Sequence, residues 1–427
     1  MVKRSNRRLR QAPLLDVAMI VKNEEKDLPR TLASLRVLTP ILGQICIYDT
    51  GSTDRTVDIA RSAGAKVQRG YWDDDFSRAR NESLAMTTSE WFLVIDADEV
   101  LVADAEQLAR ALRIAQGSPL NGITSQLAIV TEGRITTMAN SLRLGRRRYV
   151  HYVNRLHERL TPIDTTEQLQ VTAIPESALM VAHYGYVPGE AFARRSERNL
   201  RISLLEHDRV INGHANEQVE ALLNRGRSYL TAGQAEEGLD DLAAAWNISD
   251  ATTAYRQWAG ELLVEILIKL GRLDQAEAVL PGLAEAGSSP QLIRYLQACT
   301  QQARGHHDEA LRLIRLVDKP MRALERTESW SPVLRLRMIS AAATQQTDEA
   351  IAAGVALFSR HGDCDGLGPL LLTLWGSRSD AALARLLALE STPHVDAICA
   401  ELERAGERGE AISRLVREFI MQSPSTL

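Results

Sequence analysis

In the first hundred residues, apolar runs with strand character alternate with amphipathic runs at helical spacing, and that alternation admits few folds. Leu15 to Val21 (LDVAMIV) reads as a buried strand, and Asp27 to Leu38 as a helix with Leu28, Leu32 and Leu35 on one face. Gln44 to Asp49 (QICIYD) is a second strand, closed by Thr50-Gly51-Ser52-Thr53-Asp54, which supplies a turn glycine and a helix cap. A helix over Arg55 to Ala63, a short strand over Lys66 to Gln68 and a helix over Phe76 to Met86 follow. Trp91 to Ile95 (WFLVI) is another strand, ending in Asp96-Ala97-Asp98-Glu99. Strand–helix–strand alternation predicts a mostly parallel sheet with helices packed over it. Ligands in such sheets sit at the carboxyl ends of strands, where Asp49 and the Asp96–Glu99 cluster both fall.

From about residue 120 to 190 the pattern changes. Ile123 to Val130 and Leu179 to Tyr184 read as strands, with the basic stretch Arg143, Arg146, Arg147, Arg148 between them. These form the antiparallel edge and acceptor side of the same domain. After Pro188 the chain is helical and repetitive. Gly226, Tyr229, Gly233, Gly238, Leu242 and Ala245 stand at the offsets of a tetratricopeptide unit. The phrase returns as Gly271-Arg-Leu-Asp-Gln-Ala276, Gly305-His-His-Asp-Glu-Ala310, Thr347-Asp-Glu-Ala350 and Gly406-Glu-Arg-Gly-Glu-Ala411. Small residues serve where paired helices approach closely, and the glycine serves the turn between them. The expected organisation is a basic tail over 1–13, an α/β domain over 14–200 and a helical-repeat domain over 201–427.

Composition narrows the function classes. A chain of 427 residues exceeds one ordinary core, and 45% hydrophobic with 25% charged residues describes a water-soluble globular protein. A net charge of −5 gives no general reason to expect nucleic-acid binding. The basic start MVKRSNRRLR leads into Gln11-Ala12-Pro13 and not an apolar run, so it reads as a solvated tail and not a secretory signal. No apolar run is long enough to span a bilayer. Cys46, Cys299, Cys364 and Cys399 are dispersed and read as reduced residues, and the expected location is the cytoplasm.

Asp96 and Asp98 form the sharpest constellation. Two carboxylates two residues apart project to one side of an extended segment. Just past a strand end they can hold Mg²⁺ or Mn²⁺, which completes its shell with water and diphosphate oxygens. The bland alternative is a polar strand end that caps the next helix.

Four ordered motifs carry a family resemblance: Val17-Ala-Met-Ile-Val-Lys-Asn-Glu24, Asp49-Thr-Gly-Ser-Thr-Asp54, Asp74-Asp-Phe-Ser-Arg-Ala-Arg-Asn81 and Asp96-Ala-Asp-Glu99. Over roughly residues 14 to 200 the chain resembles the family 2 glycosyltransferases of the GT-A fold. It is most similar to the subgroup in which tetratricopeptide repeats follow the catalytic domain, a group that includes peptide glycosyltransferases. Asn154-Arg-Leu-His-Glu158 and Ala182-His-Tyr-Gly-Tyr186 support that subgroup. The resemblance implies that Val21, Asn23 and Glu24 line a nucleoside pocket. It implies that Asp49 bonds the base or ribose, with Gly51 and Ser52 beside it. Arg78, Arg80 and Asn81 would face the donor, Asp96 and Asp98 would carry the metal, and His183 would be a late metal or diphosphate contact. A buried histidine satisfied by backbone is the alternative for His183.

Family 2 enzymes invert, which implies one displacement and one general base near the acceptor. The candidates are Glu158, His157 and Glu99, with Glu158 first and an ion pair to Arg155 or Arg159 as its alternative role. The expected acceptor is a hydroxyl or thiol on a peptide, protein or glycan, captured by the helical repeats; homodimerisation through the same helices is the alternative. Trp72-Asp73-Asp74-Asp75 reads as a loop that positions the next helix. Arg143 to Arg148 read as a solvated face, with phosphate or anionic-acceptor binding as the alternative, and His306-His307 as a solvated turn. The rival functions are a catalytically inactive nucleotide-sugar scaffold and a nucleotidyltransferase. The second would place a glycine-rich loop where Lys22-Asn23-Glu24-Glu25 stands.

Overall fold

A computed structural model describes residues 12–131, 134–184, 190–251, 254–318, 330–389 and 394–422. The basic tail, apart from Ala12 and Pro13, and Gly185 and Tyr186 of the late motif lie outside them. The chain divides into two compact units, Met1–Asn212 with Arg227–Gln234, and Gly213–Gly226 with Ala235–Leu427.

In the first unit β1 (Leu15–Val21), α1 (Leu28–Ser34), β2 (Leu42–Asp49), α2 (Thr56–Ser62), β3 (Lys66–Arg69), α3 (Phe76–Ala85) and β4 (Trp91–Val94) follow the alternation read from the sequence. Then come β5 (Glu99–Ala103), α4 (Ala105–Gln116), β6 (Gly122–Thr131), β7 (Arg134–Arg146), β8 (Val150–Val153), β9 (Arg159–Pro162), β10 (Val171–Ala173), β11 (Leu179–His183) and α5 (Glu190–Val210). Among the described residues one sheet has the order β3-β2-β1-β4-β7-β6-β11-β5, with β10 beside β6, and β8 pairs with β9 separately. β1, β2, β3 and β4 run parallel, whereas β7 is antiparallel to β4 and β6, and β5 is antiparallel to β11.

Burial explains the unbroken apolar runs. Leu15, Val17 and Met19 on one face of β1 join Trp91, Leu93 and the α1 and α4 leucines Leu28, Leu32, Leu108 and Leu112. On the other face Ala18, Phe92 and Val94 pack with Leu84 of α3 and with Val150, Tyr152 and Leu160 of the β8–β9 hairpin. A strand covered on both faces needs apolar side chains at successive positions. Asp16 is the exception: fully buried, it accepts hydrogen bonds from the Gln44 and Ser89 amides, each at 2.9 Å, and from Ser89 Oγ at 2.8 Å. The carboxylate thereby ties the amino ends of β2 and β4 to β1.

The second unit is helical throughout its described residues. Successive pairs are α6 (Ala215–Thr231) with α7 (Ala235–Asn247), α8 (Ala254–Lys269) with α9 (Leu273–Glu285) and α10 (Pro290–Ala303) with α11 (His307–Ile314). They continue as α12 (Ser331–Ala343) with α13 (Thr347–Ala356), then α14 (Gly368–Trp375), α15 (Asp380–Ala388), α16 (Val395–Arg404) and α17 (Glu407–Gln422). The repeated phrase marks the intra-pair turns. Gly271, Gly305 and Gly406 take φ of 72°, 81° and 90°, and the turn before α13 puts Gln345 at φ 60° in the equivalent place. Ala276, Ala310 and Ala350, five residues on, are fully buried. Acidic residues in the first turns of α7, α9, α13 and α15 each take an arginine from further along the chain: Glu236–Arg272, Asp274–Arg304, Asp348–Arg378 and Asp380–Arg408, at 2.5–2.9 Å. These pairs favour helix amino termini and mark one register along the stack, though exposed pairs add little stability. Among the described residues no helix is long and apolar enough to cross a membrane.

Candidate active site at the carboxyl edge of the sheet

β4 ends at Val94, and the turn Asp96-Ala97-Asp98 leads into β5. Two backbone contacts fix this turn: Thr31 Oγ1 donates to the Ala97 carbonyl at 2.6 Å, and the Tyr184 amide donates to the Asp98 carbonyl at 3.2 Å. Antiparallel pairing sets His183 of β11 directly opposite Glu99 of β5. His183 Nδ1 then lies 3.5 Å from Asp98 Oδ1 and 3.6 Å from Glu99 Oε1. The three predicted groups Asp96, Asp98 and His183 are thus brought together from sites far apart in sequence.

Two buried arginines hold the acidic turn. Arg80 of α3 donates from one guanidinium nitrogen to Asp96 at 2.7 Å and from Nε to Glu158 at 3.0 Å. Arg143 of β7 grips Glu99 with both terminal nitrogens, at 2.7 and 3.1 Å. Glu99, 1% exposed, also accepts the Asp96 amide at 2.8 Å. Its carboxylate is enclosed and committed to these donors. The sequence places Arg143 on a solvated basic face; it is instead buried, because β7 slips its register against β6 between Leu144, opposite Ile123, and Leu142, opposite Thr124, and the intervening Arg143 meets Glu99, which receives its charge. Glu158, whose expected ion-pair partners were its neighbours Arg155 and Arg159, is bound by Arg80, and Arg155 donates to the Asp73 carbonyl.

Charge in the turn is unevenly balanced. Burial disfavours ionised Asp96, but Arg80 and Arg143 outweigh it and hold its carboxyl below the usual range. Asp98 is pushed up, first by burial and then by Asp96 and Glu99, with His183 opposing. Glu24 rises to about 7, from burial first and then from Asp98, Asp27, Asp96 and Asp54. His183 is raised by its contact with Glu99, against burial, and by the charge of Asp98. Negative charge around Asp98 and Glu24 is therefore in surplus, the situation a hard divalent cation relieves. Among the described residues no three His, Cys, Asp or Glu side chains form a ready-made cage. Carboxylates at a strand end fit an ion that draws its other ligands from water and substrate.

The loops after β1 and β2 lock together beside this turn. Asn23, at φ 58°, donates its amide to Ser52 Oγ at 2.9 Å and accepts from the Thr53 amide at 2.8 Å. The Glu24 amide donates to Thr56 Oγ1 at 2.7 Å, and the Thr50 amide to the Val21 carbonyl at 3.0 Å. Asp49 is fully buried; it accepts from the Ser52 amide at 3.1 Å and lies 3.5 Å from Nε of the exposed Arg69. Gly51, at φ 110°, makes the turn between them, a conformation nearly closed to other residues. Arg78 is held by Asp73 at 2.8 Å, Tyr48 Oη at 3.0 Å and the Tyr71 carbonyl at 2.7 Å. The Asn81 amide bonds both ways with the Tyr152 backbone, at 2.9 and 2.8 Å, and so fastens β8 to α3. Asp75 caps α3 by accepting the Arg78 amide at 2.8 Å. His157 is exposed, with φ 54°.

A family model for Glycosyl transferase family 2 matches residues 16–160. Those residues form a family 2 glycosyl transferase domain. The match takes in Asp49, Arg80, Asp96, Asp98, Glu99, Arg143 and Glu158; His183 lies beyond it. A TPR repeat-containing protein of Synechococcus elongatus is 46% identical over 91 residues, 21% of this chain and 22% of its own length. The SPbeta prophage-derived glycosyltransferase SunS of Bacillus subtilis is 28% identical over 196 residues, 45% of this chain and 44% of its own. The chain thus spans less than half the length of either relative. The structure of S. aureus TarS 1–349 aligns at 13% identity with a TM-score of 0.37, covering 69% of this chain and 92% of that one. The α/β unit has the GT-A arrangement, and the helices from α6 onward fit tetratricopeptide-like repeats.

Sequence reasoning named Arg143 but did not find its pairing with Glu99, whose signal is an arginine between two leucines of a strand, nor Thr31 beneath the acidic turn. No local pattern pointed to Thr31, because it meets Ala97 across 66 positions of chain.

Proposed function

We propose that this chain is an inverting glycosyltransferase that moves a sugar from a nucleoside-diphosphate donor, a UDP-sugar, to a hydroxyl or thiol acceptor. The observation that carries the reading is the Asp96–Asp98 turn: Asp96 is already matched by Arg80, while Asp98, beside His183, keeps surplus negative charge. The family 2 domain match and the similarity to the glycosyltransferase SunS support it.

Asp98 and Asp96, with His183 beside them, would hold Mg²⁺ or Mn²⁺. When bound, that ion supplies electrophilic stabilisation of the leaving diphosphate. The chain's own groups account for the rest. Asn23, Glu24, Asp49, Gly51 and Ser52 form the ledge on which the nucleoside lies, and Arg78 stands at its rim. Glu158, with 16% of its side chain exposed and Arg80 fixing its orientation, takes the proton from the acceptor as the acceptor oxygen or sulfur attacks the anomeric carbon. His157, the residue before it, is exposed and is the second candidate for the base. The helical repeats present the peptide, protein or glycan that carries the acceptor group.

The test is UDP release by purified protein from a panel of UDP-sugars, with Mn²⁺ or Mg²⁺, with EDTA, and with Asp98→Ala. Metal-dependent hydrolysis of one donor, lost in the variant, supports the enzyme and names its sugar. No release from any donor, with no nucleotide binding by calorimetry, overturns it in favour of a scaffold.

A further inference from the structure

The long helix α5 follows the last strand and carries Arg194, Arg195, Arg198 and Arg201, spaced to share one broad face. Its arginines meet the start of α3. The Arg198 guanidinium lies 5.1 Å from the centre of the Phe76 ring, and Arg201 forms a two-pronged pair with Asp74. Phe76 and Arg80 are one turn apart on the same face of α3, and Arg80 binds Glu158. The Phe76 amide donates to the Arg155 carbonyl at 2.9 Å, so the ring under Arg198 adjoins the segment that carries Glu158, which Arg80 binds.

The charge of Arg198 is poorly answered. Its hydrogen bonds among the described residues go to the neutral Asn199 side-chain oxygen, at 3.2 and 3.0 Å. Asp74, the nearby carboxylate, is engaged by Arg201. Burial, then Arg195, pull the Arg198 guanidinium below its usual value; Asp74 opposes, Arg201 adds to the lowering, and Glu158 opposes weakly. The half-buried guanidinium thus lies beside two other arginines and, among the described residues, hydrogen-bonds to an amide oxygen. A planar guanidinium resting on an aromatic ring is well placed to grip a carboxylate or phosphate.

We propose that Arg198, with Arg195 beside it, forms an anion subsite on the acceptor side of Glu158, so that the acceptor bears a carboxylate or phosphate near the group that receives the sugar. The proposal rests on the glycosyltransferase reading for the identity of its occupant. The anion itself is recognised by chemistry that does not depend on that reading. An anion held there draws the acceptor across Glu158 toward the donor.

The probe is inorganic phosphate, titrated by calorimetry into full-length protein with and without saturating UDP and Mg²⁺. UDP fills the diphosphate position, so phosphate binding that survives UDP reports a second site. Arg198→Leu is expected to weaken that binding at least tenfold, Arg198→Lys by less, with UDP affinity held within twofold in both. The lysine variant and the melting temperature separate loss of the site from loss of the fold. Unchanged phosphate affinity in Arg198→Leu, or no phosphate binding by the wild type, overturns the subsite. A parallel tenfold loss of UDP affinity also overturns it, because the guanidinium would then serve the donor's diphosphate. If the wild type binds no UDP, the glycosyltransferase reading fails, while phosphate binding without UDP still decides the role of Arg198.

Discussion

Replacing Arg143 with methionine leaves the Glu99 carboxylate in place, 1% exposed, and removes both guanidinium donors at 2.7 and 3.1 Å. What remains to it is the Asp96 amide and His183, too little to replace water around a buried charge. Breaking a buried pair from one side typically costs about 3–5 kcal/mol. Glu99→Gln in the same background removes the orphaned charge, so the double variant should recover part of the loss, with a coupling of about 2–3 kcal/mol in a double-mutant cycle. Urea unfolding followed by Trp72 and Trp91 fluorescence, in a background with Trp246, Trp258, Trp330 and Trp375 replaced by phenylalanine, is the assay, because a two-unit chain need not unfold in one step. The same variant should loosen Asp96, whose amide Glu99 anchors, and lower Mn²⁺ affinity about 10–100-fold. A cost for Arg143→Met below about 1 kcal/mol, the size of an exposed pair, would refute the argument that the pair braces the turn.

The other expectations are smaller. Asp98→Ala should weaken Mn²⁺ binding at least about tenfold by calorimetry, and an unchanged affinity would remove Asp98 from the site. Glu24 titrates near 7 in the folded protein against 4.5 unfolded, so the native state holds its proton more tightly. Its contribution is most favourable below pH 4.5 and fades between about 4.5 and 7; Glu24→Gln should match wild-type stability at low pH and exceed it at pH 8. Gln345→Gly should raise the stability of the helical unit by about 0.5–1 kcal/mol by relieving a left-handed backbone, and no gain would show the strain is absent. Gly409→Ala should destabilise by more than Gly406→Ala, since its Cβ would fall 1.8 Å from the Leu402 backbone carbonyl oxygen, whereas Gly406 has nothing within 4 Å and costs only the strain of its φ of 90°. Equal melting temperatures for those two would contradict the packing.

Much of the α/β unit was legible because burial on both faces of β1 and β4 forces continuous apolar runs, and strand ends announce themselves by polar turns. The repeats were legible for a related reason: each turn asks for the same backbone angle and each close approach for the same small residue. Even the weak copy before Ala350 obeys, with Gln345 taking the angle that glycine takes elsewhere. Asp96 and Asp98 stood out as a pair of carboxylates after an apolar strand. The turn from Gln44 to Asp49 into Thr50-Gly51 was equally plain, since its local hydrogen bonds close within a few residues.

What escaped were relations among segments. Asp16 sits within a run that reads as pure core, and only the arrival of Thr88, Ser89 and Gln44 explains a buried carboxylate there. β5 begins at Glu99, where the sequence showed only the polar end of the preceding strand, because its partner β11 lies some eighty residues later. The Arg143 charge looked like surface decoration until β7 placed it against Glu99. Local sequence determined where the strands and helices up to β4 and the repeat turns begin, since propensity and burial pattern act over a few residues. Tertiary structure decided which charges are neighbours, because Coulomb energy depends on distance in space, and pairing of β11, β7 and α3 around one turn sets those distances.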